Sequence, residues 1–152
     1  MTVDAANKLR EALAECSRHA FYLGKARQRL PQSIEARQLE ASEESLVAAL
    51  DQFAYRFARL QDALGQRVLR LFLVAILREP LEDAPMRDVL DRLERLGYLN
   101  ADRWEEYRAV RNALVHEYPE EVERRAARLH LAFNMAAELA SLLDRLHGEA
   151  NT

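Results

Sequence analysis

The residues best suited to chemistry lie at positions 111–118, which read Arg-Asn-Ala-Leu-Val-His-Glu-Tyr. Arg111 carries a planar, permanently charged guanidinium whose geometry matches phosphate oxygens. The imidazole of His116 can accept or donate a proton. Tyr118 adds a hydroxyl group. Together these three side chains indicate chemistry on a phosphate group.

Their spacing on a predicted helix limits how these residues act together. Arg111 falls on the same stripe as Trp104 and Tyr107, so a charged group lies on an otherwise apolar face. Asn112 precedes His116 by four residues and can orient its imidazole. Arg111 and His116 lie about 140° apart on a straight helix. They share one site if the helix ends near His116, or if two chains combine.

A structural role for Arg111 is the simplest alternative. An acidic residue such as Asp62 would then neutralise the guanidinium on its apolar stripe, and His116 would be an ordinary residue at a helix end. Asp62 either orients Arg111 or belongs to the surrounding surface. The spacing alone leaves both interpretations open.

Composition restricts the class of protein that carries these residues. The chain has 152 residues, of which 49% are hydrophobic and 31% charged, and it contains only 4 Gly and 4 Pro. This excludes a disordered chain and a membrane protein. Abundant Leu, Ala and Arg favour helices. We therefore expect one domain over residues 1–152, an all-α, up-and-down helical bundle of four to five helices.

Net charge and cysteine content further restrict the possible ligands, the metal sites and the cellular compartment. The net charge of −3 gives no global attraction to nucleic acid, so any phosphate site must be local. The single cysteine, Cys16, excludes an internal disulfide and a multi-thiolate zinc site. The N-terminal residues show no apolar stretch of signal-peptide length, so we expect a cytoplasmic protein. No metal site is expected, because His19, His130 and His147 are scattered along the chain.

Periodic apolar residues and helix-ending signals place the elements. The second predicted helical stretch, about 34–78, is too long for one straight helix in a chain of this size. We therefore expect a bend or break near Gly65 or before Ser42, with Ser42 as the N-cap residue of the helix that follows. Gly97 is expected to end the short helix, and Asn100 or Asp102 to cap the next. The predicted helices cover about 5–30, 34–78, 86–96, 100–116 and 119–147.

Two further features suggest contacts with other molecules. The last predicted helix, with Pro119 at its first position, carries a second apolar row of Leu139, Leu142 and Leu146. This wide face suggests packing against another copy of the chain. Arg56 and Arg59 alternate with the apolar stripe of their helix, and they contact RNA phosphates or an acidic partner, or form a solvated, ion-paired surface.

The pattern Arg111-Asn112-x-x-x-His116-x-Tyr118 resembles the signature of the HEPN superfamily, specifically of its HepT-like branch. The segment 53–65 is similar to the long central helix of such proteins, and 96–99 resembles the turn before their motif. The resemblance implies a metal-independent endoribonuclease toxin of a toxin–antitoxin pair, without a cofactor. Its implied partners are RNA, a second copy of the chain and a cognate minimal nucleotidyltransferase antitoxin.

Roles for individual residues follow from this resemblance. Arg111 and His116 would be catalytic, Asn112 would be the supporting polar residue, and Tyr118 would accept AMP from the antitoxin. His116 would deprotonate a ribose 2′-hydroxyl, Arg111 would stabilise the attacked phosphate, and a 2′,3′-cyclic phosphate would result. The acidic charge favours an alternative, a non-catalytic HEPN partner that docks a nucleotidyltransferase. A third possibility is a helical scaffold.

Overall fold

The computed structural model describes residues 2–116 and 120–152, and the regular elements within them are all helical. The all-α bundle is confirmed, and the second predicted stretch is divided into α2, α3 and α4. No helix in these two ranges is long and apolar enough to cross a membrane. The elements are α1 (Thr2–Gln28), α2 (Ala36–Ala41), α3 (Glu44–Ala63), a π-helical turn (Leu64–Val68), α4 (Leu69–Ala75), α5 (Met86–Arg95), α6 (Ala101–His116) and α7 (Val122–Ala150).

One hydrophobic core joins the helices. Helix α1 packs against α3, α4 and α7, and α6 packs against both α3 and α7. Cys16 of α1 is fully buried, and burial raises the pKa of its thiol to about 12. It is a small residue of the hydrophobic core. The largest buried side chains include Phe53, Phe57, Phe72 and Trp104.

The second predicted stretch is interrupted at both expected places. Ser42 adopts a left-handed conformation (φ 49°) at the end of α2, and its hydroxyl donates to the carbonyl of Leu39 at 3.0 Å. The predicted N-cap role of Ser42 was wrong, because a residue in this conformation ends a helix; the N-cap residue of α3 is Glu43. The second interruption is the π-helical turn, which contains Gly65.

The chain between α5 and α6 follows the predicted helix-ending signals. Gly97 has a positive φ of 82°, and the amide of Tyr98 donates to the carbonyl of Leu93 at 2.9 Å. This is the Schellman arrangement that glycine permits at a helix end. Asn100 then caps α6, since its side-chain oxygen accepts from the amide of Arg103 at 2.8 Å. The turn fixes where the motif helix starts.

Helix α7 differs from the prediction in two respects. It begins at Val122 rather than at Pro119. Its second apolar row is covered by the same chain, because α1 and α2 pack against α7 together with α3 and α6. The argument for a homodimer from this wide face was therefore wrong. The three side chains of the row are at most 9% exposed: Leu139, Leu142 and Leu146.

Candidate functional site

Helix α6 positions the motif residues through its buried aromatic face. Trp104 and Tyr107 are 1% and 8% exposed, and their rings meet edge to face with centroids 5.7 Å apart. They are core residues, which leaves Arg111 as the next position on the same stripe. The side chain of Arg111 is 25% exposed, so its guanidinium lies at the boundary between core and solvent.

Arg111 is held by Asp62 of α3 in a two-pronged ion pair. Its Nε donates to Oδ1 at 3.0 Å and its Nη2 donates to Oδ2 at 2.7 Å. This parallel geometry fixes the plane of the guanidinium and compensates its partial burial. A guanidinium has five N–H donors, so further donors remain for a phosphate oxygen. The contact therefore fits both the structural and the orienting role considered for Asp62.

The π-helical turn after α3 lets α6 approach closely. A Cβ atom on Gly65 would lie only 3.0 Å from Cζ2 of Trp104, tighter than ordinary van der Waals contact. A side chain at this position would force the indole of Trp104 to shift by a few tenths of an ångström, which glycine avoids. Because Asp62 lies near the end of α3, three residues before Gly65, the same crossing brings its carboxylate to Arg111. π-Helical turns often occur at functional sites.

A cleft of about 380 Å³ opens beside this ion pair. Polar side chains dominate its wall, and Gln61 is a buried polar residue at 4% exposure. The sequence did not indicate that Gln61, Gln66 and Arg108 lie near Arg111. The available signal was the spacing of Gln66, which follows Asp62 by four residues. The cleft is lined by Gln61, Asp62, Gly65, Gln66, Met86, Trp104, Arg108, Arg111 and Asn112.

Asn112 and His116 occupy the exposed part of α6. The side-chain oxygen of Asn112 accepts a hydrogen bond from Nη1 of Arg111 at 3.3 Å. Asn112 therefore contacts Arg111, a partner that the sequence did not indicate. His116 is exposed and is the last residue of α6. Arg111 and His116 lie about 140° apart around the α6 axis, and α6 ends at His116, which fits a site within one chain as well as a site shared by two chains. Tyr118, the predicted acceptor of AMP, and Pro119 lie outside the described residues.

Arg56 and Arg59 lie where α3 meets α1 and are not among the residues that line the cleft. Arg56 donates from Nη1 to Nδ1 of His19 at 2.9 Å, and Nε2 of His19 faces Glu15 at 3.3 Å. His19 is 2% exposed. Burial lowers the pKa of His19, and the charges of Arg56 and Arg59 act in the same direction, while the interaction with Glu15 opposes this shift. Arg59 lies 3.9 Å from Glu15. Arg59 is thus weakly ion-paired, whereas Arg56 contacts a ring nitrogen of His19.

Known proteins provide no identification of this chain. No protein-family model matches it, and neither curated proteins nor solved structures give a match. Function therefore has to be inferred from the residues around Arg111 and from the resemblance of positions 111–118 to the HEPN signature.

A metal centre has no counterpart in the described part of the chain, where no group of three or more His, Cys, Asp and Glu side chains is placed to hold an ion. The remaining histidines have structural contacts. Nε2 of His130 accepts from the amide of Ile34 at 3.0 Å, and Nδ1 of His147 lies 3.0 Å from Asn151. That catalysis needs no metal stays a prediction.

A second polar network connects α6 to α7 and was not foreseen. Arg103 donates to both oxygens of Glu138, at 2.9 and 2.7 Å, and the hydroxyl of Tyr107 donates to the same carboxylate at 2.7 Å. The hydrogen bonds from Arg103 lower the pKa of Glu138. Burial and the bond to Glu138 raise the pKa of Tyr107. An acidic residue within the apolar stretch of α7 was the available sequence signal.

Proposed function

We propose that this protein is a metal-independent endoribonuclease in which Arg111 and His116 are the catalytic residues. The observation that carries the proposal is the ordered guanidinium of Arg111 beside an open polar cleft, on the helix that ends in an exposed histidine. An oriented, partly desolvated guanidinium is suited to stabilise negative charge on a phosphate. An exposed imidazole at the helix end is accessible to a ribose hydroxyl.

The proposed reaction uses the 2′-hydroxyl of RNA as nucleophile. His116 accepts its proton while the 2′-oxygen forms a bond to the adjacent phosphorus, and Arg111 stabilises the charge on the non-bridging oxygens. The bond from phosphorus to the 5′-oxygen then breaks, and that oxygen takes a proton back from the imidazolium. The products are a 2′,3′-cyclic phosphate and a 5′-hydroxyl. DNA lacks the nucleophile and is not cleaved.

The angular separation of Arg111 and His116 supports a homodimer. With the two side chains about 140° apart on one helix, a second copy related by two-fold symmetry brings its own His116 towards Arg111. Val115, which precedes His116, is 43% exposed and supplies an apolar contact for such an interface. Two-fold dimers are the commonest oligomers. This argument replaces the one based on the apolar row of α7.

The proposal includes control by a cognate minimal nucleotidyltransferase antitoxin that adds AMP to Tyr118, in the cytoplasm. An added AMP places a bulky, negatively charged nucleotide two residues from His116, where it competes with RNA phosphate for Arg111. Arg56 and Arg59 are proposed contacts for RNA or for this partner. No cofactor is required by the reaction.

A non-catalytic HEPN partner is the second candidate, and two observations favour it. Asp62 already neutralises Arg111, and the chain has a net charge of −3. In that case Arg111 would stabilise the crossing of α3 and α6, and the protein would dock a nucleotidyltransferase without cleaving RNA.

The deciding experiment is an RNA cleavage assay in the presence of EDTA. We expect the wild type to cleave, and His116→Ala and Arg111→Ala to lose about 10²–10⁴ in rate. Arg111→Lys should not restore full activity, because an ammonium cannot make a two-pronged contact. RNA lacking 2′-hydroxyl groups should stay intact.

Matched controls separate catalysis from folding. His147→Ala and Arg37→Ala change the same residue types far from the motif in sequence, and both should cleave like the wild type. Thermal unfolding must show that the motif variants are folded. Cleavage that survives in His116→Ala would contradict the proposal, and a wild type that binds a nucleotidyltransferase without cleaving RNA would establish the second candidate.

A further inference from the structure

We infer that the exposed surface where α1 meets α3 binds single-stranded nucleic acid. We call this surface the aromatic seam and define it by Phe21, Tyr22, Lys25, Tyr55, Arg56 and Arg59. The inference rests on the proposed function, because it assigns to the ribonuclease a surface that holds its substrate at a distance from Arg111.

Three aromatic side chains of the seam are exposed to solvent. Phe21, Tyr22 and Tyr55 are 59%, 39% and 55% exposed. Phe21 and Tyr22 meet edge to face with centroids 5.2 Å apart, and Arg56 bridges Tyr22 to Tyr55 across the two helices. Large exposed aromatic side chains that cluster in this way indicate a binding surface. Their faces offer the flat apolar contacts on which unpaired bases stack.

Cationic groups alternate with these rings. The guanidinium carbon of Arg56 lies 4.7 Å from the ring centre of Tyr22 and 5.3 Å from that of Tyr55. The ammonium of Lys25 lies 5.3 Å from the ring centre of Phe21. Each cation is attracted electrostatically to the face of the neighbouring aromatic ring. The combination of ring faces and positive charge matches the alternation of bases and phosphates in a single strand.

Several cations lie around the seam, although the protein as a whole is acidic. The chain carries −3 overall, yet one stripe of α1 and the adjacent stripe of α3 bear several cations, and Glu15 neutralises only part of them through Arg59 and Arg67. A local basic surface is the electrostatic footprint expected of a nucleic-acid-binding protein. The cations are Arg18 and Lys25 on α1, Arg29 just after α1, Arg56 and Arg59 on α3, and Arg67 in the π-helical turn; the acidic residues near them include Glu15 on α1 and Asp51 on α3.

The seam leads towards the cleft along α3. Tyr55 and Asp62 are seven residues apart, so they lie on the same helical face with Arg59 between them, and their separation along the axis is about 10 Å. Asp62 holds Arg111. At ~3.4 Å per stacked nucleotide, about three nucleotides connect the rings to the guanidinium. A strand lying along α3 therefore reaches both.

The chemistry of the seam favours a single strand over a duplex or a protein. Bases in a duplex are stacked on each other and leave no face for Tyr22 or Tyr55. A protein partner would bury Lys25 and Arg59, whose desolvation needs opposing acids. A nucleic-acid strand supplies phosphates for the cations and keeps them near water.

Binding of a fluorescent 2′-O-methyl oligoribonucleotide of about 12 nucleotides tests this inference without cleavage, because the nucleophile is blocked. In fluorescence anisotropy, Tyr55→Leu and Phe21→Leu should each weaken binding about 10-fold, while Tyr55→Phe keeps the wild-type affinity since it keeps the ring. Leu131→Ala, an exposed apolar residue on α7, is the control and should bind like the wild type. A duplex of the same sequence should bind at least about 10-fold more weakly.

Each result either supports or contradicts the binding of single-stranded nucleic acid to the aromatic seam. Equal affinity of Tyr55→Leu and wild type would overturn it. A wild-type dimer that dissociates in Tyr55→Leu would show that the seam is an interface between copies instead. The cleavage assay is independent: an oligonucleotide that binds through Tyr55, in a protein that does not cleave RNA, would support the seam and contradict the ribonuclease proposal.

Discussion

Individual side chains illustrate how charge is accommodated at the edge of this core. Arg111 lies on the stripe that buries Trp104 and Tyr107, and Asp62 compensates its charge through two hydrogen bonds. His19 is more deeply buried, at 2% exposure, and its ring lies between the carboxylate of Glu15 and the guanidinium of Arg56. The contact with Arg56 requires Nδ1 to be the acceptor, so Nε2 carries the proton and donates to Glu15.

The first prediction at this scale concerns the stability of the protein at low pH. Burial lowers the pKa of His19 in the folded protein, whereas the unfolded chain has the ordinary value near ~6.5. The unfolded state therefore binds the proton first, so the free energy of unfolding falls as the pH drops below about 6.5. The loss is limited to about 1.4 kcal/mol per pH unit for one proton.

Denaturant unfolding at about pH 7.5 and 5.5 tests this dependence. His19→Gln keeps a donor and an acceptor but does not titrate, and it should lose less stability over this interval than the wild type. His147→Gln serves as the control and should retain the wild-type dependence. A wild type and a His19→Gln variant with the same dependence would show that Glu15, Arg56, Arg59 and Arg67 already compensate the added charge.

At the scale of elements, the π-helical turn decides how α3 and α6 cross. An unbroken α-helix through 64–68 would rotate Asp62 relative to the residues that follow it, and Gly65 would not face Trp104 in the same way. The turn therefore aligns the ion pair, the cleft and the packing of the motif helix. Its glycine was recognisable in the sequence as a break, but its role in admitting an indole ring was not.

The prediction for this element is a loss of stability in Gly65→Ala. An alanine normally stabilises a helix over glycine by about 0.5–1 kcal/mol. At position 65 its Cβ would lie 3.0 Å from Cζ2 of Trp104, and that indole is 1% exposed and enclosed. Overpacking of this kind costs about 1–3 kcal/mol, so we expect a net destabilisation of about 1 kcal/mol in urea unfolding.

Gly24→Ala is the matched control for this prediction. Gly24 lies within α1, and no atom lies within 4 Å of an added Cβ. This variant should gain up to about 1 kcal/mol from helix propensity alone. If Gly65→Ala were as stable as Gly24→Ala, Trp104 would have room to move and the close approach would not control the crossing.

At the scale of the whole molecule, the prediction concerns the number of chains in the assembly. The buried row of α7 gives no reason for a dimer, whereas the placement of Arg111 and His116 does. We predict a mass of twice 17.5 kDa by light scattering. Val115→Glu introduces a charge beside His116 and should yield a monomer that no longer cleaves RNA.

Leu131→Glu is the control for this prediction, since Leu131 is an exposed apolar residue of α7 at 37% exposure. It should leave the mass and the activity unchanged. A monomeric wild type that cleaves RNA would show that Arg111 and His116 act within one chain, and the two-chain site would be wrong.

Local regularities in the sequence were sufficient for the helices. Apolar periodicity, Gly97 and Asn100 placed α5 and α6, because helix formation and capping depend on neighbours a few residues apart. The same reasoning identified Arg111 as a charged residue on an apolar stripe and named Asp62 as a potential partner. It also named Gly65 and Ser42 as alternative places for a bend or break; the chain leaves the helix at Ser42 and Glu43, and a π-helical turn contains Gly65.

Only the tertiary structure decided which of these features meet. Asp62 and Arg111 are separated by 49 residues, and their contact depends on how α3 and α6 cross at Gly65. Leu142 belongs to a row that periodicity marks as apolar, but periodicity does not say what covers it; here the chain itself does. The seam joins Tyr22 to Tyr55 for the same reason. Such contacts arise from packing between distant segments, which no local pattern encodes.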